Sequence, residues 1–217
     1  LTGNILKVSS FLNHQIDAEL MAKVGEEFAR YFKDKNITRV VTVESSGIAP
    51  AVFTALHMGV PVVFARKKLS LTLDDGLVTT EVNSYTKGEK NTIAVSRDYI
   101  KPKDNILIID DFLAKGEVIR GLIDITKQIG ANIAGVGIVI EKAFQNGRKY
   151  VEEENIPILS LVRIESLEDN NIKHLKYIYI VNKKPFHNKI IYKISDRIIK
   201  SVYFISSFCF EMVFYFT

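Results

Sequence analysis

The sequence predicts an α/β protein with a mostly parallel, twisted sheet and helices on both faces. Three observations carry this. Short, continuous apolar runs recur along the chain, as in strands buried on both faces. Segments with a helical apolar period lie between them. Gly or Asn closes several of those segments, where helices commonly end. The chain has 217 residues, 47% of them hydrophobic, enough for one sizeable domain and too few for two of ordinary size.

The first helix is expected behind Asp17, a residue suited to capping, with Leu20, Val24, Phe28 and Phe32 recurring every four residues and Asn36 as the stop. Arg39–Val43 is a short β-branched strand, and Ile48–Met58 a helix ended by Gly59. Pro61–Ala65 is a second strand. Leu77–Tyr85 and Asn91–Ser96 are expected as an antiparallel pair joined by the polar turn Thr86–Lys90. Ile106–Ile109 is a fully apolar strand, Glu117–Ile129 a helix stopped by Gly130, and Ile133–Ile140 another apolar strand. Phe144–Glu154 is expected as a helix, and Ile158–Ile164 as the last strand. In such sheets ligands bind beyond the carboxyl ends of the strands. That directs attention to Glu44–Gly47, Arg66–Asp75, Asp110–Gly116 and Glu141–Phe144.

Charge is uneven. The formal net charge is +4, but residues 1–172 hold 21 Lys and Arg against 23 Asp and Glu, while residues 173–217 hold 8 against 2. The body therefore lacks a broad basic footprint for nucleic acid. The chain divides into a domain, 1–172, and an atypical basic and aromatic extension, 173–217, expected as disordered or non-native. The extension carries 11 of the 22 aromatics. Its apolar end, Val202–Thr217, is interrupted by Glu211 and at about 16 residues is short of a membrane span of roughly 20. No membrane partner is expected. The single cysteine, Cys209, permits no disulfide within the chain, which fits a reducing cytoplasm. The N-terminus shows no basic stretch followed by an apolar run, so no signal peptide is read there.

The segment Ile106–Gly116 concentrates the chemistry. Asp110 and Asp111 end a buried strand, and a loop with Gly116 leads into a helix. The first turn of a helix offers unpaired N–H groups and the positive end of a dipole, a seat for phosphate. Adjacent carboxylates can accept hydrogen bonds from sugar hydroxyls or help to hold a divalent cation. One stretch could thus grip both halves of a ribose 5-phosphate; an acidic pair alone would read as a solvated turn. Glu44-Ser45-Ser46-Gly47 also follows a strand and opens a helix, with Gly47 letting backbone approach an anion and the serines able to donate, or else simply capping. Arg66-Lys67-Lys68 is either a solvated basic loop or a mobile cover for a polyanion. Lys142 could bond an exocyclic carbonyl of a base and Phe144 stack on its ring; alternatively they are a surface lysine and a core phenylalanine. No P-loop, complete G-x-G-x-x-G or metal-ligating cluster of His and Cys is present, and Gly135-Val-Gly137 lacks a third glycine at the required offset. His14 reads as a surface or loop residue.

In this order the pieces resemble the type I phosphoribosyltransferases, and within them the xanthine branch. The matching text is Leu6–Asp17, Val43–Ala51, Val63–Thr72, Ile108–Gly116 and Gly137–Gln145, with coverage from residue 1 to about 172. The resemblance implies a purine-salvage enzyme that joins xanthine to phosphoribosyl pyrophosphate (PRPP) to give xanthosine 5′-monophosphate and diphosphate. It implies that Ala114, Lys115, Gly116, Glu117 and Val118 hold the 5-phosphate, and that Asp110 and Asp111 face the ribose. Glu44, Ser45, Ser46 and Gly47 would lie by the diphosphate, and Arg66, Lys67 and the residues up to Thr72 would form part of the mobile loop. Leu6, Asn13 and Lys142 would contact xanthine, with Phe144 a candidate for stacking. Mg2+ would enter with PRPP, and no set of protein side chains is assigned to ligate it directly. A homodimer in the cytoplasm is the family's usual state. The phosphate loop has neither Thr nor Ser, a departure from many phosphoribosyltransferases that the xanthine branch shares.

Two other readings compete. A PRPP- or purine-sensing regulator could use the same fold, but known regulators place a DNA-binding winged helix before it, and nothing before Leu6 is expected to supply one. A receiver-type signalling domain also has an acidic pair after a strand, normally the first strand, whereas here several precede it.

Overall fold

The continuous apolar runs become the centre of a six-stranded sheet in the computed structural model, which describes residues 8–67, 76–83, 90–168, 171–175, 194 and 196–198. The strands are β1 (Arg39–Val43), β2 (Val62–Ala65), β3 (Leu77–Asn83), β4 (Lys90–Ser96), β5 (Asn105–Leu113), β6 (Asn132–Lys142), β7 (Ile158–Glu168) and β8 (Asn171–Leu175). The helices are α1 (Ala18–Tyr31), α2 (Ile48–Met58), α3 (Glu117–Ile129) and α4 (Gly147–Glu153). The large sheet has the order β2-β1-β5-β6-β7-β8, and β3 and β4 form a separate antiparallel hairpin. The pairs from β2 to β7 are parallel, and only β8 runs antiparallel, to β7. The carboxyl ends of β2, β1, β5 and β6 therefore meet along one edge.

Period-two alternation sends successive strand residues to two cores. Val40, Leu107 and Ile109 face α1 and α2; Val41, Ile106 and Ile108 face α3, α4 and the hairpin. Leu20, Val24, Phe28 and Phe32 are all fully buried, as their spacing predicts. The Asp17 side chain accepts from Leu20 N at 3.0 Å and caps α1. The helix stops at Tyr31, ahead of the expected Asn36, because the chain tightens into a 3-10 turn at Lys33–Lys35 before Asn36 turns left-handed at φ 49°. A Cβ on Gly135 or Gly137 would collide with Phe32 or Phe28. These glycines make room for α1, which accounts for the Gly-x-Gly.

Several boundaries differ from expectation. β5 and β6 run on to Leu113 and Lys142, because each supplies the other's backbone partners there, with Asp110 opposite Ile138 and Leu113 opposite Glu141. α4 starts at Gly147 rather than Phe144, because the preceding turn is tied back by Ala143 N to Ile164 O and Gln145 N to Lys142 O. β7 is not the last strand; β8 pairs with its end, in a polar stretch with no apolar period to announce it. The expected turn at Thr86–Lys90 lies outside the described residues except for Lys90, which begins β4.

In the extension, Ile194 and Ile198 are buried in the α1-side core with Val8, Phe11 and Leu12. Arg197 binds Asp17 at 2.8 Å. The remainder of 176–217 lies outside the described residues. Among the described residues no helix is long and apolar enough to cross a membrane.

Candidate active site

Three strand ends converge on the acidic pair. Asp110 and Asp111 lie inside the lengthened β5 rather than in the loop after it, and both are buried. Asp110 Oδ1 accepts from Asp111 N at 3.0 Å. Burial, and after it the charge of Asp111, pushes the Asp110 carboxyl well above the usual carboxylate range, against a smaller pull from Lys67. The site thus stores a carboxyl whose ionised form is poorly accommodated by the protein alone.

The turn Glu44–Gly47 packs beside it. Gly47 caps α2 with an ordinary right-handed backbone, so its lack of a side chain serves close approach rather than a positive φ. A Cβ there would stand 2.3 Å from Thr42 Oγ1 and 2.8 Å from Asp110 Oδ1. The Thr42 hydroxyl beneath it is buried and finds no hydrogen-bond partner among the described residues. Ser45 is exposed, Ser46 half-buried, and the Glu44–Ser45 peptide is cis.

Arg66 and Lys67 are fastened to this turn. Arg66 exchanges both backbone bonds with Ala94 on β4, at 2.9 and 3.0 Å, so the start of the basic loop is held rather than loose. Its guanidinium reaches Glu44 Oε2 at 3.0 Å, and Lys67 N donates to Glu44 Oε1 at 2.6 Å. Residues 68–72 of the expected cover lie outside the described residues, as does Leu6.

The loop 114–116 joins β5 to α3. Gly116 is left-handed at φ 83° and precedes α3 with no side-chain cap on the helix's first turn. Ala114, Glu117 and Val118 are half-buried and Lys115 is exposed. Gly147 N donates to Ala114 O at 3.1 Å.

The end of β6 contributes Lys142. Val139 and Ile140 are consecutive, yet both join the α1-side core, so the alternation slips by one residue. The slip turns Glu141 toward α4 and leaves Lys142 beside Phe112, its ammonium 6.0 Å from the ring centroid. Burial lowers the Lys142 pKa, so an acceptor there would be favoured. Phe144 is 38% exposed. The ring beneath Lys142 is therefore Phe112, which the sequence reading overlooked because it follows directly on the acidic pair. Asn13 is exposed at the end of the π-helical turn Ser9–Asn13, anchored by buried Phe11 and Leu12, and His14 is on the surface as expected.

Sequence reading also missed the partners of Glu141. Its carboxylate accepts from Arg148, from Arg163 Nε at 3.0 Å and from Ser160 Oγ at 2.6 Å. One arginine inside the next helix and one on the strand after it were the available signal, but nothing in their spacing points at one another.

A left-handed glycine at a helix N-terminus, a buried acidic pair and a lysine one strand away thus lie on neighbouring strands of one parallel sheet. The family model for the phosphoribosyl transferase domain matches residues 10–177, and the chain belongs to that family. It is similar to a protein of Listeria monocytogenes serotype 4b (strain F2365) named xanthine phosphoribosyltransferase, with 56% identity over 81% of this chain and 92% of the relative. It is also similar to the Bacillus cereus (strain AH187) protein of that name, with 55% identity over 79% and 87%. Among solved structures, adenine phosphoribosyltransferase of Rhodothermus marinus DSM 4252 superposes with a TM-score of 0.58 at 26% identity, over 65% of this chain and 77% of that one. The Trypanosoma brucei enzyme, solved with AMP, pyrophosphate and ribose-5-phosphate, shares the fold at 20% identity and a TM-score of 0.60, over 80% and 77%.

Proposed function

We propose that this chain is a purine-salvage pentosyltransferase that converts xanthine and PRPP to xanthosine 5′-monophosphate and diphosphate. The observation that carries the reading is the meeting of the Gly116 loop and the Asp110–Asp111 pair at one edge of the sheet, with Lys142 on the adjoining strand. The relatives named above carry an enzyme's name, which favours catalysis over a sensing role on the same fold.

In this reading the N–H groups at Gly116, Glu117 and Val118, with Ala114 and Lys115, take the 5-phosphate, and Asp110 and Asp111 take the ribose hydroxyls. The C1–oxygen bond to diphosphate breaks as a base nitrogen bonds to C1 with inversion, and the nitrogen's proton is released. Binding that places nitrogen and C1 in line lowers the barrier, and positive charge set against the departing diphosphate lowers it further. Arg66, Lys67 and the turn Glu44–Gly47 would meet that diphosphate, the Arg66 guanidinium and the Lys67 N–H exchanging their contacts with Glu44 for the ligand. Lys142 would donate to a xanthine carbonyl, with Leu6 and Asn13 on the same base and Phe112 or Phe144 against the ring.

Among the described residues no three His, Cys, Asp or Glu side chains are grouped to hold a metal. That fits Mg2+ carried by the diphosphate oxygens with one or two carboxylates, the usual way this cation is bound. Its contribution is charge neutralisation of the leaving group. The same reading places the enzyme in the cytoplasm as a homodimer.

The test is diphosphate release from PRPP and Mg2+ in the presence of xanthine, guanine, hypoxanthine or adenine. Turnover is expected to be highest with xanthine, because a site built to bond the 2-carbonyl leaves buried groups unpaired with the other bases. No release with any base would overturn the assignment, and a preference for adenine would overturn the choice of base.

A further inference from the structure

We infer that Arg148 is a positioning residue for the phosphate-binding loop, acting through Gly147, with Glu141 as its fixed anchor. The inference rests on the reading of residues 114–118 as the seat of the 5-phosphate.

α4 has only seven residues, too few to hold a helix by its own hydrogen bonds, so its place is set by what its side chains grip. One of these grips is Val151, fully buried in the core. Tyr150 packs on the same core under the Arg120 guanidinium of α3, 4.5 Å from its ring centroid. The polar grip is Arg148. Its Nε donates to both Glu141 oxygens at 2.9 and 3.0 Å, and Nη2 donates to Glu141 Oε2 at 2.7 Å and to Ser160 Oγ at 3.1 Å. Nη1 reaches Glu152 Oε1 at 3.3 Å within the helix. Glu141 cannot yield, because Ser160 and Arg163 hold it as well and its side chain is 2% exposed. A planar guanidinium on a fixed carboxylate sets direction as well as distance.

The residue before Arg148 touches the loop with backbone alone. Gly147 N bonds Ala114 O at 3.1 Å. A Cβ on Gly147 would be 2.5 Å from Ala114 O and 2.9 Å from Gly116 N, and one on Gly116 would be 3.0 Å from Gly147 Cα. At this contact backbone meets backbone, with the Leu113 side chain packed beside it, 2.9 Å from the same Cβ position. A shift of α4 is therefore passed directly to Gly116 and to the N–H groups beyond it. The chain of contacts runs from β6 through Arg148 and Gly147 to the loop.

Arg163 provides the control. It also binds Glu141, so its loss removes one guanidinium from the same carboxylate, but it lies on β7 rather than on α4. Arg148→Met, Arg163→Met and Arg148→Lys would be compared with the unaltered chain by calorimetric titration with ribose 5-phosphate, and separately with xanthine, alongside thermal melts. Both methionine variants are expected to melt earlier. Only Arg148→Met is expected to weaken ribose 5-phosphate, by about tenfold or more for a misplaced seat. Its xanthine affinity, and the ribose 5-phosphate affinity of Arg163→Met, should stay within about twofold, as for sites that do not share partners. Arg148→Lys should recover part of the loss, and it reports even if Arg148→Met fails to fold, since a lysine variant that binds like the unaltered chain overturns the inference. Equal weakening in both methionine variants also overturns it, because the effect would then be general loosening around Glu141. If the unaltered chain itself ignores ribose 5-phosphate, the reading of the loop falls; if it binds and Arg148→Met binds equally, the positioning role alone falls.

Discussion

Asp110 and Glu141 sit near the same end of adjacent strands and are almost equally buried, at 4% and 1% exposure, yet their surroundings push them in opposite directions. Around Glu141, burial would raise the pKa, but hydrogen bonds from Arg148 and Ser160 and the charges of Arg148 and Arg163 outweigh it and hold the carboxyl low. Around Asp110, burial and the Asp111 charge act together and raise it. A structural carboxylate is given its counter-charges by the protein. Asp110 is left short of them, and on the proposed reading a ribose and a cation would bring the missing partners. The contrast separates the brace from the site more sharply than burial or residue type can.

The most severe way to break this comparison is to neutralise each side. Asp110→Asn and Asp111→Asn are expected to lower kcat/KM by about 10²–10³, the loss typical of one preorganised polar contact to a transition state, with the fold intact. Steady-state diphosphate release checks it, and near-normal activity would remove the pair from the chemistry. Glu141→Leu should do the reverse and act first on stability. Removing one member of a buried ion pair costs about 3–5 kcal/mol, and the cost here should fall toward the lower end because Arg148 and Arg163 retain some access to water. Urea denaturation measures it, and an unchanged midpoint would show that the cluster does not brace the fold.

Gly116→Ala tests the loop between the two carboxylates. A side chain at φ 83° costs about 1–2 kcal/mol, before its contact with Gly147 is counted. The expected result is a moderate fall in melting temperature with a disproportionate rise in KM for PRPP. A rise in KM for xanthine alone would place the loop under the wrong substrate.

How much of this was legible follows the range of the interactions. The α1 face, the α3 stop at Gly130 and the acidic pair before a glycine-led helix were readable because each is set by residues a few positions apart. The Glu141 cluster was not, because Arg148, Ser160 and Arg163 come from two further elements and converge only after folding. The identity of the ring under Lys142 was hidden for a related reason. The slip at Val139 and Ile140 moves every later side chain of β6 to the other face, and an unbroken apolar run gives no sign of it. For Gly47 the sequence offers approach to an anion, and the structure adds that a Cβ there would press on Thr42 and Asp110; both need a glycine, so the residue type alone could not announce the second.

The smallest expected effect sharpens the comparison most, because it reads the two carboxyls on one scale. Asp110 has a raised pKa in the folded chain, so its ionisation opposes folding. Its contribution is most favourable below the unfolded value near 3.8 and is lost as pH rises through the folded value. Asp110→Asn removes that loss, so the variant should melt at a higher temperature than the parent near neutral pH, and the advantage should shrink to nothing in acid. Glu141 has a lowered pKa, so its contribution is present above the unfolded value of 4.5 and fades as pH falls through the folded value. Glu141→Gln should therefore melt at a lower temperature near neutral pH and approach the parent in acid. Melting curves of the three proteins between pH 3 and 8, a range chosen to span both carboxylates, should show the variants on opposite sides of the parent, closing toward it at low pH. If both variants fell on the same side at neutral pH, the division between a carboxylate kept for structure and one kept for a ligand would be wrong.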